Sequence, residues 1–130
     1  FDASAKLVEI AQRVTGIAVQ HSTFLNFSST APFAGIWACA SLLHVPASSM
    51  TATLQHLAGL LQAQGVLYVS FKYGADDVER NGRHFTNCTE QRLQGFLAGT
   101  GLSIVETWLT ADQRPDRAHE QWLNALLIAQ

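Results

Sequence analysis

Near the amino terminus, Leu7, Val8, Ala11 and Val14 recur at helical spacing between Ser4 and Gly16. That spacing predicts a helix over residues 5–14, with Ser4 as its cap and Gly16 as its stop. The short β-branched run after it predicts a strand over 17–21, followed by a loop through Phe24 and Phe27. Residues 33–43 are almost wholly apolar, contain Trp37 and lie between Pro32 and Pro46, a pattern that predicts a strand covered on both faces, with 41–46 as its exit. Ser48 and Ser49 stand where they would cap a second helix bearing Met50, Leu54, Leu57, Leu60 and Leu61, ended by Gly65. Residues 66–71 read as a further strand. The stretch 74–88 is polar, charge-rich and without a period, which predicts a long functional loop or lid. Thr89 caps a third helix with Leu93, Phe96 and Leu97 on one face, closed by Gly99 and Gly101, and residues 102–109 and 122–129 read as two final strands.

This order predicts an α/β layered domain whose open, mostly parallel sheet carries one late antiparallel strand. In such sheets ligands sit at the carboxyl ends of the strands. The 130 residues make up one domain's worth of chain. Charged residues are only 14% of the chain, against about a quarter in typical soluble domains, which predicts an unusually apolar surface or an interface. A net charge of −2 provides no broad basic field, so a nucleic-acid partner is not expected. No apolar stretch reaches the roughly 18 residues of a membrane span, so no membrane partner is expected either. Cys39 and Cys88 lack the spacing of a zinc site and are too few to staple a secreted scaffold. They read as reduced packing residues of a cytoplasmic protein that holds no metal.

Several segments together carry a resemblance. Phe1-Asp2-Ala3-Ser4, the block Phe33-Ala34-Gly35-Ile36-Trp37-Ala38-Cys39-Ala40-Ser41-Leu42-Leu43-His44-Val45-Pro46, and Gly65-Val66-Leu67-Tyr68-Val69-Ser70-Phe71-Lys72-Tyr73-Gly74 resemble three consecutive blocks of the class I S-adenosylmethionine-dependent methyltransferases. Arg117 with Trp122-Leu123-Asn124 resembles the tellurite-resistance-like, small-molecule branch. The resemblance implies a Rossmann-like three-layer sandwich, with residues 1–130 as a partial methyltransferase domain running from the end of the second strand to the carboxyl terminus. It also implies S-adenosylmethionine as cofactor and a small molecule as methyl acceptor. Asp2, followed by Ala3, takes the place of the family's ribose-binding acid, a carboxylate being suited to a vicinal diol because it offers paired acceptors. Thr23 stands where the family has an acid for the adenine amino group, followed by Phe24 and Leu25, and it brings an acceptor without charge. Ala40, Ser41 and Leu42 take the place of the lining of the cofactor's methionine end.

At the same strand exit His44 is a candidate to orient the acceptor or take a proton, and Tyr73 is the second candidate catalytic residue. Lys72, Arg83 and Arg117, within a wider group that includes Arg80, His84 and Arg114, are candidate substrate-binding cations and favour an anionic or carboxylate substrate. The family's Gly-x-Gly-x-Gly turn has no counterpart here: the nine glycines are scattered. Activity is therefore expected of a longer parent protein, with cofactor binding by this chain weak or absent. The sheet would lack its first strand, and the edges this leaves predict dimerisation, strand exchange or direct closure of the third strand against the fourth. The alternative function is a non-catalytic interaction or assembly module. A nicotinamide-dependent oxidoreductase is disfavoured because it needs the same glycine turn.

Overall fold

In the computed structural model, which describes residues 1–130, the chain divides into two units, Phe1–Thr30 and Ala31–Gln130. The first is built on α1 (Ala5–Thr15), where the Ser4 hydroxyl accepts from the Leu7 amide and Gly16, at φ 71°, donates back to the Gln12 carbonyl. Both caps are those the sequence predicts. The strand expected over 17–21 does not form. The Ile17 amide donates to the Thr15 hydroxyl and the Val19 amide to the Gln12 side chain, so helix-end side chains take the groups that a ladder would need. Only His21 pairs, through a single parallel bridge to Asp2. Beyond it the chain turns, the Phe27 amide donating to the Thr23 carbonyl, and the Phe1 ring stacks on Phe27 with centroids 4.4 Å apart.

The second unit is a mixed α/β structure. Its elements are β1 (Phe33–Ala38), a 3-10 turn (Leu42–His44), α2 (Ala47–Gly59), β2 (Leu61–Lys72), β3 (Asp77–Arg80), β4 (Arg83–Thr86), α3 (Glu90–Phe96), β5 (Leu102–Ala111), a 3-10 turn (Pro115–Arg117) and β6 (Gln121–Ala129). Four strands form a sheet in the order β1-β2-β6-β5. β1 runs parallel to β2, and β6 is antiparallel to both its neighbours, so β6 alone runs against the other three.

Alternation along the central strands decides where the core sits. Leu67, Val69 and Phe71 of β2 and Leu123, Ala125 and Leu127 of β6 are fully buried on one face. Helix α2 covers that face of β2 with Met50, Leu54 and Leu57, at the i, i+4, i+7 spacing of a buried stripe, and also meets α3.

The apolar run 33–43 is two elements, not one strand. Ala40 takes a positive φ of 47° and turns the chain, its amide caught by the Ser70 hydroxyl at 2.8 Å, and Leu42 and Leu43 are buried in the following 3-10 turn. β1 is an edge strand and is not covered on both faces: Trp37 is 73% exposed. Helix α2 starts at Pro46 instead of at a serine cap, the fixed proline φ setting its first turn. It stops at Gly59 rather than Gly65, because Leu61 already opens β2. Gly65 lies inside β2, where a Cβ would come within 2.8 Å of the Gln62 carbonyl, and this irregularity matches the register shift between Phe33 and Gly35 of β1.

The loop expected over 74–88 contains the β3–β4 hairpin. Asn81 (φ 53°) and Gly82 (φ 71°) form its two-residue turn, both in the left-handed region that a type I′ turn requires. Cys88 is buried as expected, but Cys39, read as a packing residue, is exposed in the turn after β1. No helix is long and apolar enough to cross a membrane.

Candidate functional site

Because β1, β2 and β5 run the same way, the exits of β1 and β2 and the β5–β6 loop lie at one edge of the sheet. Three segments of the second unit converge there. The exit of β2 carries Lys72 and Tyr73, the β3–β4 hairpin is inserted just after it, and the loop between β5 and β6 brings Glu120 back beside β2. The Tyr73 amide donates to the Gln121 carbonyl at 2.9 Å, which extends the β2–β6 pairing and fixes the loop's return. Between these segments lies a cavity of about 360 Å³ lined by Lys72, Tyr73, Arg80, Phe85, Asn87 and Glu120 among others.

The loop is clamped by Asp112, whose side chain is almost wholly buried. Its carboxylate accepts from the Arg114 amide at 3.1 Å, from the Arg114 guanidinium at 2.8 Å, and from the Trp122 indole at 3.1 Å. The Asp112 amide in turn donates to the Glu120 carbonyl at 2.9 Å. The Arg114 guanidinium holds the Asp112 carboxyl well below the usual carboxylate range, although burial opposes it.

Glu120 is the electrostatic centre. Its Oε2 pairs closely with Lys72 Nζ and lies 3.9 Å from Arg117, while Oε1 accepts from Arg80 at 3.1 Å. The Lys72 hydrogen bond, reinforced by Arg80 and opposed by burial, lowers the Glu120 pKa. The Lys72 ammonium also lies 5.9 Å from the Phe85 ring centroid and 5.8 Å from that of Trp122. Three cationic groups thus face one carboxylate. Asn87 lines the cavity, but its Oδ1 is buried away from it and has no hydrogen-bond partner.

His44 stands beside this cluster, its ring edge-on to Phe85 with centroids 4.9 Å apart. Its Nδ1–H donates to the His84 carbonyl at 2.9 Å, an oxygen that can only accept. In the neutral ring that fixes the tautomer and leaves Nε2 as a lone-pair acceptor. The Tyr73 phenol donates to Glu90 at 3.2 Å, and that hydrogen bond, with the glutamate's charge, raises its pKa. His84 is bound on both sides, to Glu79 at 2.7 Å and to the Thr86 hydroxyl at 2.9 Å.

Of the residues singled out in the sequence, Lys72 and Tyr73 line the cavity and His44 adjoins it through Phe85. Arg117 reaches the cluster only through Glu120. Arg83 is exposed at the start of β4, opposite Arg80 in the hairpin, and does not line the cavity. Ala40, Ser41 and Leu42 follow β1, with Ala40 tied to Ser70, the Ser41 carbonyl accepting from the His44 amide, and Leu42 buried. The others belong to the first unit. Asp2 Oδ1 accepts from the Ser4 amide at 2.7 Å, the Ala3 carbonyl meets His21 Nε2 at 3.0 Å, and Thr23, Phe24 and Leu25 form the turn toward Phe27. Sequence reasoning missed Glu120, Asn87 and Phe85, and took Arg80 only as one of a group. The Asn81-Gly82 pair was the signal that would have placed Arg80 and Phe85 on facing strands.

No family model and no curated protein matches this sequence. Solved structures do. The chain is similar to the N-methyltransferase NodS from Bradyrhizobium japonicum in complex with S-adenosyl-L-homocysteine, at 20% identity and a TM-score of 0.76, covering 98% of this chain and 64% of that one. It is similar to the 1,6-didemethyltoxoflavin-N1-methyltransferase from Burkholderia thailandensis, solved with 1,6-didemethyltoxoflavin and S-adenosylhomocysteine, at 18% identity and a TM-score of 0.75 over 97% of this chain and 57% of that one. Magnesium protoporphyrin IX methyltransferase from Synechocystis, solved with S-adenosylmethionine, matches at 19% identity and a TM-score of 0.67, over 98% of this chain and 56% of that one. The chain has the fold of the class I S-adenosylmethionine-dependent methyltransferases, as its sequence blocks imply, and spans about 60% of the length of these neighbours.

Proposed function

We propose that this chain belongs to an S-adenosylmethionine-dependent enzyme that methylates a small-molecule acceptor, and that its second unit supplies the acceptor side. The observation that carries this reading is the cavity at the carboxyl edge of a methyltransferase-type sheet, with His44 beside it in a fixed tautomer. S-adenosylmethionine, where bound, supplies a sulfonium methyl group for in-line attack by a nucleophile. His44 Nε2 takes the proton of an acceptor N–H or O–H, and the His84 carbonyl steadies the Nδ1–H of the resulting imidazolium. Tyr73, its proton committed to Glu90, orients the acceptor as a hydrogen-bonding group instead of serving as a base.

The residues fit the cofactor unevenly. The Asp2 carboxylate uses Oδ1 for the Ser4 amide and keeps further acceptor capacity for a ribose diol. The methionine end needs a close backbone approach, and the positive-φ glycines here serve isolated turns such as the α1 cap at Gly16 and the hairpin turn at Gly82. Weak binding follows for residues 1–130. The two free cysteines accord with a reducing, cytoplasmic setting, and the exposed Trp37 on edge strand β1 supports self-association through that edge.

A second reading, a methyltransferase-like module without catalysis, is favoured by the scattered glycines. Calorimetric titration of the chain with S-adenosylmethionine separates the two. The enzymatic reading expects saturable binding weaker than micromolar that Asp2→Ala removes. Absence of any saturable heat at millimolar cofactor would leave the module reading in its place.

A further inference from the structure

Val78, Arg80 and Phe85 of the β3–β4 hairpin line the cavity, and strand alternation puts Asp77, Glu79, His84 and Thr86 on the hairpin's other face. There His84 sits in a bonding pattern that a neutral ring cannot complete. Glu79 is its direct cross-strand partner, with the carboxylate 2.7 Å from Nδ1, and an ionised carboxylate only accepts, so Nδ1 carries a proton. Nε2 lies 2.9 Å from the Thr86 hydroxyl oxygen. The single proton of that hydroxyl goes to the Val45 carbonyl, 2.7 Å away and also an acceptor only. The hydroxyl therefore accepts from Nε2–H, and both ring nitrogens donate. Charge points the same way. Asp77, 3.9 Å from Nε2, shares its charge with Arg92 of α3 at 2.6 Å, which leaves the Glu79 charge for His84 to balance. Arg83, the preceding residue, alternates to the opposite face.

What this face holds is the segment that carries His44. The His84 carbonyl accepts from His44 Nδ1–H, and the fully buried Thr86 donates to the carbonyl of the next residue, Val45. A neutral His84 keeps its Nδ1–H on Glu79 and turns an Nε2 lone pair toward the Thr86 oxygen. Either those lone pairs repel, or the hydroxyl swings to the ring and leaves the Val45 carbonyl without its proton. Both outcomes loosen the grip on residues 44 and 45. We propose that His84 is a positioning residue for His44: a protonated clasp that closes the hairpin onto the 3-10 turn and opens as it loses its proton. Its meaning for catalysis rests on the reading of His44 as the base, whereas the clasp itself depends only on bonds within the chain. Methyl transfer then needs His84 charged while His44 is neutral, so His44 sets the acid limb of its pH range and His84 the alkaline limb.

The test is long-range ¹H–¹⁵N magnetic resonance of the histidine rings between about pH 5 and about pH 9, spanning the ordinary histidine range. Amide exchange of the same chain, corrected for its intrinsic pH dependence, is followed in parallel. As His84 loses its second N–H, exchange across 42–45 and 77–86 is expected to rise roughly tenfold, and the His44 ring to show a second step besides its own titration. Glu79→Gln, at an exposed side chain, moves that step to lower pH. His84→Leu removes it although the backbone carbonyl facing His44 remains. Thr86→Ser retains the step and Thr86→Val loses it; if Thr86→Val fails to fold, Glu79→Gln and His84→Leu still decide. Exchange that does not follow the His84 titration, a step that survives His84→Leu, or one unmoved by Glu79→Gln would each overturn the clasp. Failure to bind S-adenosylmethionine removes the methyltransferase reading and leaves the clasp standing, whereas failure of the clasp leaves the cofactor titration unaffected.

Discussion

At the scale of single residues, the site is organised by carboxylates rather than by the cations that stand out in the sequence. Asp112 orders the β5–β6 loop and Glu120 gathers Lys72, Arg80 and Arg117, so both acids are held ionised by the structure around them. Each has a folded pKa below its ordinary value, so each contributes stability above about pH 4, the unfolded carboxylate range, and loses it as pH falls further. Asp112→Asn is expected to lower the urea midpoint at pH 7, with the gap to the parent chain narrowing between about pH 5 and pH 3. A gap of the same size at both ends of that window would mean that the Asp112 charge does not hold the loop. Cys88 is a contrasting case: burial pushes its thiol up to about 12, so it is uncharged and inert at neutral pH.

At the scale of elements, the β3–β4 hairpin delivers Arg80 and Phe85 to the cavity, and its turn is the place to perturb it. Gly82 has open space around its missing Cβ, so Gly82→Ala introduces no clash and acts through the φ of 71° alone. That backbone penalty is about 1–2 kcal/mol. Amide exchange measured by mass spectrometry should therefore speed up across 77–86 while the β2 and β6 peptides keep their protection; equal exchange in the hairpin would show that the turn does not limit it. The dipeptide Asn81-Gly82 is a hairpin signal, but the flanking charges hid the alternation and the segment read as a loop. Elements defined by local chemistry, such as α1 with Ser4 and Gly16 or α3 with its Thr89 cap, could be read from the chain directly. The strand expected over 17–21 could not, because β-branched residues make a strand only where a neighbour accepts their backbone groups. The site was half legible for a related reason. Lys72 and Tyr73 follow a clear apolar strand, whereas Glu120 gains its role from a partner 48 residues away.

At the scale of the whole molecule, the low charged fraction has a definite location. Trp37 stacks on Tyr68 with centroids 3.8 Å apart, and Tyr68 lies 6.1 Å from Trp108, so aromatic side chains of β1, β2 and β5 line one face of the sheet. Beneath them Asn124 of β6 ties the face together, accepting from the Tyr68 hydroxyl at 2.7 Å and donating to Thr110 at 3.1 Å. The row therefore has a rigid backing and an open end at Trp37, beside the outer backbone edge of β1. An edge strand with an exposed aromatic is a template for another copy, and a lysine placed there is the usual means of blocking it. Sedimentation velocity over a range of concentrations should accordingly show species heavier than the 14.2 kDa chain, and Trp37→Lys should return the population toward monomer. The variant's far-UV circular dichroism should stay close to the parent's, because Trp37 is 73% exposed on an edge strand. A parent chain that stays monomeric at the highest concentration would remove the β1 edge as an interface, and association that survives Trp37→Lys would move the interface elsewhere.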